Sequence, residues 1–307
     1  MRFMSIQLAM GPLQWLMLLT LSVLWGGSFF FIEIAIESVP PLTIVLSRVS
    51  LASLSLLALL HLKGVQLNTL PWRDFAGMAI LNNVIPFTLI TYGQTAVGSS
   101  LASILNATTP LFTIVLAHYL TGDEKLNACR LTGVVVGFIG VVVMIGGEAL
   151  LGANTSIIAE VTILGAAASY ALAGVFGRRF KERGVVPLAA AGGQVTVSTL
   201  LLIPVVLLVD RPWALSMPAS DVMMALLLLG LLSTATAYLL YFSLLSRAGA
   251  TNLLLVAFLI PVSASYLGIT FLGETLSLAQ ITGMLLITTG LIFIDQRLPR
   301  CVALAIR

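Results

Sequence analysis

Pro110-Leu-Phe-Thr-Ile-Val-Leu-Ala-His-Tyr-Leu-Thr-Gly122 and Pro261-Val-Ser-Ala-Ser-Tyr-Leu-Gly-Ile-Thr-Phe-Leu-Gly273 lie half a chain length apart, with proline and glycine at identical separations. Outward from these segments the correspondence continues. After a one-residue slip Glu124 answers Glu274, Leu131-Thr-Gly133 answers Ile281-Thr-Gly283, and Gly140 answers Gly290. Upstream, Tyr92 answers Tyr241 across a slightly longer turn in the second copy, and the region of Pro41 answers that of Pro187. The chain therefore reads as two copies of one unit, residues 1–150 and 151–307.

The medium in which these copies fold follows from composition. Of the 307 residues, 59% are hydrophobic and only 9% charged, and the mean hydropathy is +1.09; a water-soluble chain carries roughly a quarter charged residues. Apolar runs bounded by charge, proline or glycine fall at 13–36, 42–61, 74–96, 99–120, 129–145, 157–176, 186–209, 223–245, 251–271 and 278–294. Such runs are too long for barrel strands, and helices satisfy every backbone hydrogen bond within lipid. The predicted fold is an all-α integral membrane bundle of ten transmembrane helices. The first run is too long for a signal-peptide core and is read as a retained span.

Five spans per copy is an odd number, so the second copy enters the membrane in the opposite sense. Loop charge sets the orientation. Of the 15 Lys and Arg, Arg48 lies inside a span and only Arg211 falls on the far side; the others, among them Arg2, Lys63, Lys125, Arg183, Arg247, Arg297, Arg300 and Arg307, share the side of both termini. Basic residues stay on the cytoplasmic face, which puts both termini in the cytoplasm of a cell whose inner membrane holds the chain. Inverted repeats of this kind recur in transporters that expose a midplane site to each face in turn, and they imply a central cavity.

Several activities are excluded or disfavoured. The net charge of +3 resides in loops that orient the protein, so no nucleic-acid partner is expected. Cys129 and Cys301 fall on the reducing side and imply no disulfide framework. His61 and His118 are too isolated to hold a metal, and no cofactor is expected. An enzyme embedded in the membrane needs clustered carboxylates or histidines, yet Asp123-Glu124 is the only adjacent acidic pair. The expected partners are a small-molecule substrate and membrane lipids, with the chain a monomer or, through Gly133, Gly137 and Gly140, a weak homodimer.

Polar residues inside the spans mark a site. Ser99, Ser103, Asn106, Pro110 and Thr113 form one stripe on an ideal helix, with Thr109 beside it; the stripe either bonds neighbouring helices or lines a cavity. Carried across the repeat it becomes Ala250, Leu254, Ala257, Pro261 and Ala264. A polar wall opposite an apolar one suits a solute with a polar and an apolar end. Thr234, Tyr238 and Tyr241 share a face of the eighth span, and Trp25, Ser28, Tyr92, Tyr170, Asn82 and Asn83 add further lining residues. Pro110 and Pro261 are expected to bend or interrupt gating helices. Arg48 either neutralises a substrate carboxylate or caps backbone carbonyls, and Glu33 is either a coupling carboxylate or a solvated helix end.

At Trp25-Gly-Gly-Ser28, Glu37-Ser-Val-Pro-Pro41 and Arg48, and again in the Pro110–Gly122 and Pro261–Glu274 segments, the chain resembles EamA-type members of the drug/metabolite transporter superfamily. The resemblance covers nearly the whole chain. It implies ten helices in inverted five-helix repeats around a cavity, and within the family it is similar to amino-acid exporters, including the aromatic amino-acid exporters. Many relatives carry Lys after the first-span motif where this sequence has Glu33. The expected activity is export of amino acids or similar amphipathic metabolites by alternating access. The alternatives are export of cationic drugs or other metabolites on the same fold and, from another class, a membrane-embedded enzyme.

Overall fold

A computed structural model describes residues 10–65, 71–122, 125–150, 154–253 and 255–295. Arg2, Asp123, Glu124, Leu254, Arg297, Arg300, Cys301 and Arg307, which entered the sequence reading, lie outside them. The described residues form helices and no strand. Pro12 and Pro41 open α1 (Pro12–Ile36) and α2 (Pro41–Leu62) at first-turn positions, where a missing N–H costs nothing. The third run is α3 (Trp72–Ala79), a π-helical turn (Ile80–Val84) and α4 (Ile85–Gly93); the fourth is α5 (Ser99–Asn106) and α6 (Thr109–Leu120). Then come α7 (Ala128–Leu150), α8 (Asn154–Phe176), the short α9 (Arg178–Glu182) and α10 (Pro187–Val209). The eighth run is α11 (Ser220–Gly230), a second π-helical turn (Leu231–Thr236) and α12 (Ala237–Leu253), followed by α13 (Val256–Leu272) and α14 (Leu278–Asp295). Eight runs among the described residues are long and apolar enough to cross a membrane; the stretches at 256–272 and 278–294 are apolar but shorter.

The interruptions have local causes. Pro86 has no N–H to offer the carbonyl of Asn82, and the ladder widens into the π turn just before it, with Ser169 Oγ donating to the carbonyl of Leu81 at 2.7 Å. In the second π turn, hydroxyls do the equivalent work: Thr234 Oγ1 and Thr236 Oγ1 each donate to the carbonyl five residues back, at 2.9 Å. Between α5 and α6, Pro110 leaves the carbonyl of Asn106 without its helical donor, and Thr109 Oγ1 supplies one at 2.7 Å. The break at Ala107–Thr108 splits the polar stripe expected on one continuous helix. Pro261, by contrast, sits inside α13, which runs on through it, so of the two expected effects, a bend or an interruption, it makes no interruption.

Helix pairing is reciprocal between the two halves. The closest partners are α7 with α14, α1 with α13, α2 with α10, α4 with α8, and α6 with α8. The α7–α14 seam runs antiparallel on glycines. A Cβ on Gly133 would meet the carbonyl oxygen of Gly290 at 2.5 Å, and one on Gly140 the carbonyl oxygen of Gly283 at 2.8 Å. Backbones this close need small residues, and in lipid such contact is itself the driving force for association. The glycine face proposed for packing or dimerisation is thus occupied within the chain.

Two carboxylates from the second half cap helices of the first. Asp210, at the end of α10, accepts the backbone N–H and the hydroxyl of Thr43, both at 2.8 Å, in the first turn of α2. Glu274 accepts the backbone N–H of Ser99 at 2.6 Å and of Ser100 at 3.0 Å, and also the Ser100 hydroxyl, at the start of α5. Each binds orphan donors of a helix N-terminus. At the opposite end of the bundle, Lys125 Nζ donates to the carbonyls of His118 and Thr121 at the end of α6, and Arg183 pairs with the buried Asp74 of α3.

Candidate functional site

The two π turns bring polar side chains to the same place. From the first, Asn83 is fully buried; its Nδ2 donates to Ser198 Oγ on α10 at 3.0 Å, and its Oδ1 accepts the Tyr238 hydroxyl of α12 at 2.9 Å. Asn82 Nδ2 donates to Gln194 Oε1 on α10 at 3.0 Å and to the Tyr238 oxygen at 3.3 Å. Ser198 closes the circuit by donating to the Gln194 carbonyl at 2.7 Å. A buried amide left unpaired costs about 1–3 kcal/mol, so this network fixes how the first half's third run meets the second half's α10 and α12. Replacing Tyr238 with Phe strands Asn83 Oδ1; the expected loss is about 1–2 kcal/mol of thermal stability in detergent, against no change for Tyr119→Phe, which lies 76% exposed.

Next to this network sits Arg48, only 6% exposed. Its Nε donates to Thr234 Oγ1 of the second π turn at 2.8 Å, and its guanidinium carbon stands 3.7 Å from the centre of the Phe87 ring. Phe87 meets Tyr170 edge-on at 6.5 Å. The phenols of Tyr170 and Tyr238 act electrostatically on the guanidinium. Two turns of α12 carry an aromatic continuation, in which Tyr241 packs on Trp25 at 5.6 Å and on Phe242 at 5.1 Å.

Of the residues singled out from sequence, Asn82, Asn83 and Tyr238 are bonded to one another, Arg48 and Thr234 are bonded beside them with Tyr170 close, and Trp25 and Tyr241 pack together next door. Others stand apart. Tyr92 is 42% exposed at the end of α4. Ser103 is buried and donates to the carbonyl of Ser100, and Thr109 is used up within its own turn. Ser28 is buried on α1, and Asn106 Oδ1 is buried without a partner among the described residues. Glu33 is not a solvated helix end: it is half-buried and accepts Gln94 Nε2 at 3.0 Å, while the same amide donates to the carbonyl of Phe29 at 2.9 Å.

Sequence reasoning missed Gln94, Gln194 and Ser198. A signal was present, since Gln94 and Gln194 are each lone amides within long apolar runs, and both are 2% exposed. The alignment of several polar residues on the fourth run outweighed them. A separate groove of about 400 Å³ opens between α2 and α11, lined by Leu51, Leu54, Met223 and Leu227 with Ser47 and Ser50, on a face of α2 turned away from Arg48. Its apolar walls suit lipid chains better than a polar solute.

A chain of known crystal structure superimposes with a TM-score of 0.65 at 18% identity, over 92% of this chain and 96% of that one, a likeness of fold. The transporter YoaV of Bacillus subtilis is 26% identical over 281 residues, covering 89% of this chain and 94% of its own. A probable amino-acid metabolite efflux pump of Escherichia coli is 26% identical over 283 residues, covering 88% of this chain and 90% of its own. One family model fits twice, to residues 13–146 and again to 157–295, so this helical, multi-pass membrane protein belongs to the EamA-like transporter family.

Proposed function

We propose that the chain exports amino acids or similar small amphipathic metabolites across the inner membrane, by alternating access between two inverted five-helix repeats with both termini in the cytoplasm. The observation that carries this reading is the polar cluster of Asn82, Asn83, Gln194, Tyr238, Arg48 and Thr234, drawn from both halves and set between aromatic rings in otherwise apolar helices. Polar and charged groups at this depth are costly and mark solute pathways. The repeat reading draws support from the glycine seam. Sequence equates Gly133 with Gly283 and Gly140 with Gly290, and the contacts Gly133–Gly290 and Gly140–Gly283 exchange with one another under that equation. A two-fold axis in the membrane plane has this property. The two π turns fall in matching runs of the two copies, which supports the duplication.

The cluster holds a cation and, among the described residues, no carboxylate approaches it, which favours amino acids over cationic drugs. Proteoliposomes loaded with unlabelled amino acid are expected to take up the labelled one by saturable counterflow. No exchange for any common amino acid defeats the proposal. Single cysteines at Asn127 and Thr275 are expected to label from opposite faces of the membrane; labelling from the same face defeats the inverted arrangement.

A further inference from the structure

Arginine buried in a membrane protein ordinarily has its charge answered by an acid. Arg48 does not. Among the described residues no carboxylate approaches it, and its only hydrogen bond is from Nε to Thr234 Oγ1. That bond and the Phe87 ring under the guanidinium fix the plane of the group and use its side edge. The far edge, with both Nη atoms and their four N–H bonds, makes no hydrogen bond among the described residues, and the residue as a whole is only 6% exposed. Other donors in the cluster are engaged: Asn82 Nδ2 on Gln194 Oε1 and the Tyr238 oxygen, Asn83 Nδ2 on Ser198 Oγ, and the Tyr238 hydroxyl on Asn83 Oδ1.

An unpaired guanidinium edge has a specific complement. Two parallel N–H bonds match the two oxygens of a carboxylate, in a geometry that an ammonium or a neutral amide cannot reproduce. Phosphate shares the geometry but carries more charge, and the cluster offers no second base to meet it. The surroundings are aromatic and aliphatic, with Phe87, Tyr170, Val45 and Val49 packed around the Arg48 turn. The geometry points to Arg48 as the residue that selects substrate, binding the carboxylate of a monoanionic or zwitterionic solute end-on through its two Nη atoms, with the apolar part of the solute against Phe87 and Tyr170. This deepens the export reading and rests on it for the word substrate; the binding claim is separable.

A readout independent of transport therefore tests it. The purified full chain in detergent is titrated with phenylalanine, 3-phenylpropionate, phenylalanine amide and 2-phenylethylamine, with binding followed by tryptophan fluorescence and thermal shift. The two carboxylates are expected to bind at least about tenfold more tightly than the amide or amine. Arg48→Gln is expected to bring the acid-to-amide ratio close to one, and Arg48→Lys, which keeps the charge without the fork, to fall between. A structural role would lower all four affinities together and leave the ratio in place, so a retained ratio in either folded variant overturns the proposal. Wild-type protein that binds carboxylates no better than amides, or not at all, also overturns it without recourse to a variant. Carboxylate-selective binding with no exchange in proteoliposomes sinks the export reading and leaves the Arg48 assignment standing.

Discussion

Gly290→Leu is expected to abolish recovery of monodisperse protein, whereas Gly174→Leu leaves it unchanged. The nearest atoms to a Cβ at position 290 are all backbone: the carbonyl oxygen of Gly133 at 2.5 Å, and the nitrogen and Cα of Gly137 at 2.7 and 2.9 Å. None of these can swing aside as a flexible side chain would. Accommodating even an alanine requires α7 and α14 to separate, and a leucine forces them further, losing the contacts along the whole seam. Overpacking in a tight core costs about 1–3 kcal/mol, and a site walled by backbone on every side falls at or above the top of that range. Around Gly174 there is nothing within 4 Å, which makes it the matched control for adding an apolar side chain to a helix in lipid. Size-exclusion profiles and melting temperatures decide the matter; equal values for the two variants mean that the seam is not the tight contact described here.

The second large effect is expected at Glu274. Its carboxylate lies in a slot whose walls are Gly98 and Gly268, since a Cβ on either would stand within 2.7 Å of one of its oxygens. Two backbone donors and one hydroxyl of the α5 N-terminus converge on it. Hydrogen bonds to a charged group contribute about 1.5–3 kcal/mol each, part of which water restores on opening. Glu274→Ala is therefore expected to weaken the docking of the α5 N-terminus on α13 by about 3 kcal/mol, roughly a hundredfold in the local opening of this contact. A cysteine at Val97, buried next to Gly98, is expected to react much faster with an impermeant maleimide in that background. Glu274→Gln, which fits the slot but loses the charge, is expected to show an intermediate rate. Unchanged reactivity would mean that packing alone holds α5 against α13.

Much of this organisation is legible in sequence, for reasons that differ from feature to feature. The glycines of the α7–α14 seam announce themselves because close backbone approach admits no other residue, so the spacing of Gly133 and Gly140 survives in Gly283 and Gly290. Arg48, Asn82 and Asn83 stand out because polar groups in an apolar run demand partners. The partners themselves are harder to see. Gln194 and Ser198 lie on α10, and which residue of that helix faces Asn82 depends on a π turn that shifts the register of everything after it. Pro86 hints at the first such turn; no proline marks the second. The stripe from Ser99 to Thr113 is divided for a related reason, since a periodicity of 3.6 residues is not carried across the break at Ala107–Thr108; within it Ser103 donates to the Ser100 carbonyl, and beside it Thr109 donates to the carbonyl that Pro110 leaves bare.

The seam has one more implication, for how the gene can be cut. Helix α7 ends the first half and α14 ends the second, yet Gly133 and Gly140 of the one are covered by Gly290 and Gly283 of the other. A polypeptide ending after α7 would carry a bare strip of exposed backbone into the bilayer, with its natural cover encoded on the other fragment. Such a fragment would satisfy that strip by joining a sister copy or by degradation. Co-translated fragments severed between α7 and α8 would instead be drawn back together by this contact, so the division that is plainest in the genetic text is the one at which the molecule is least divisible.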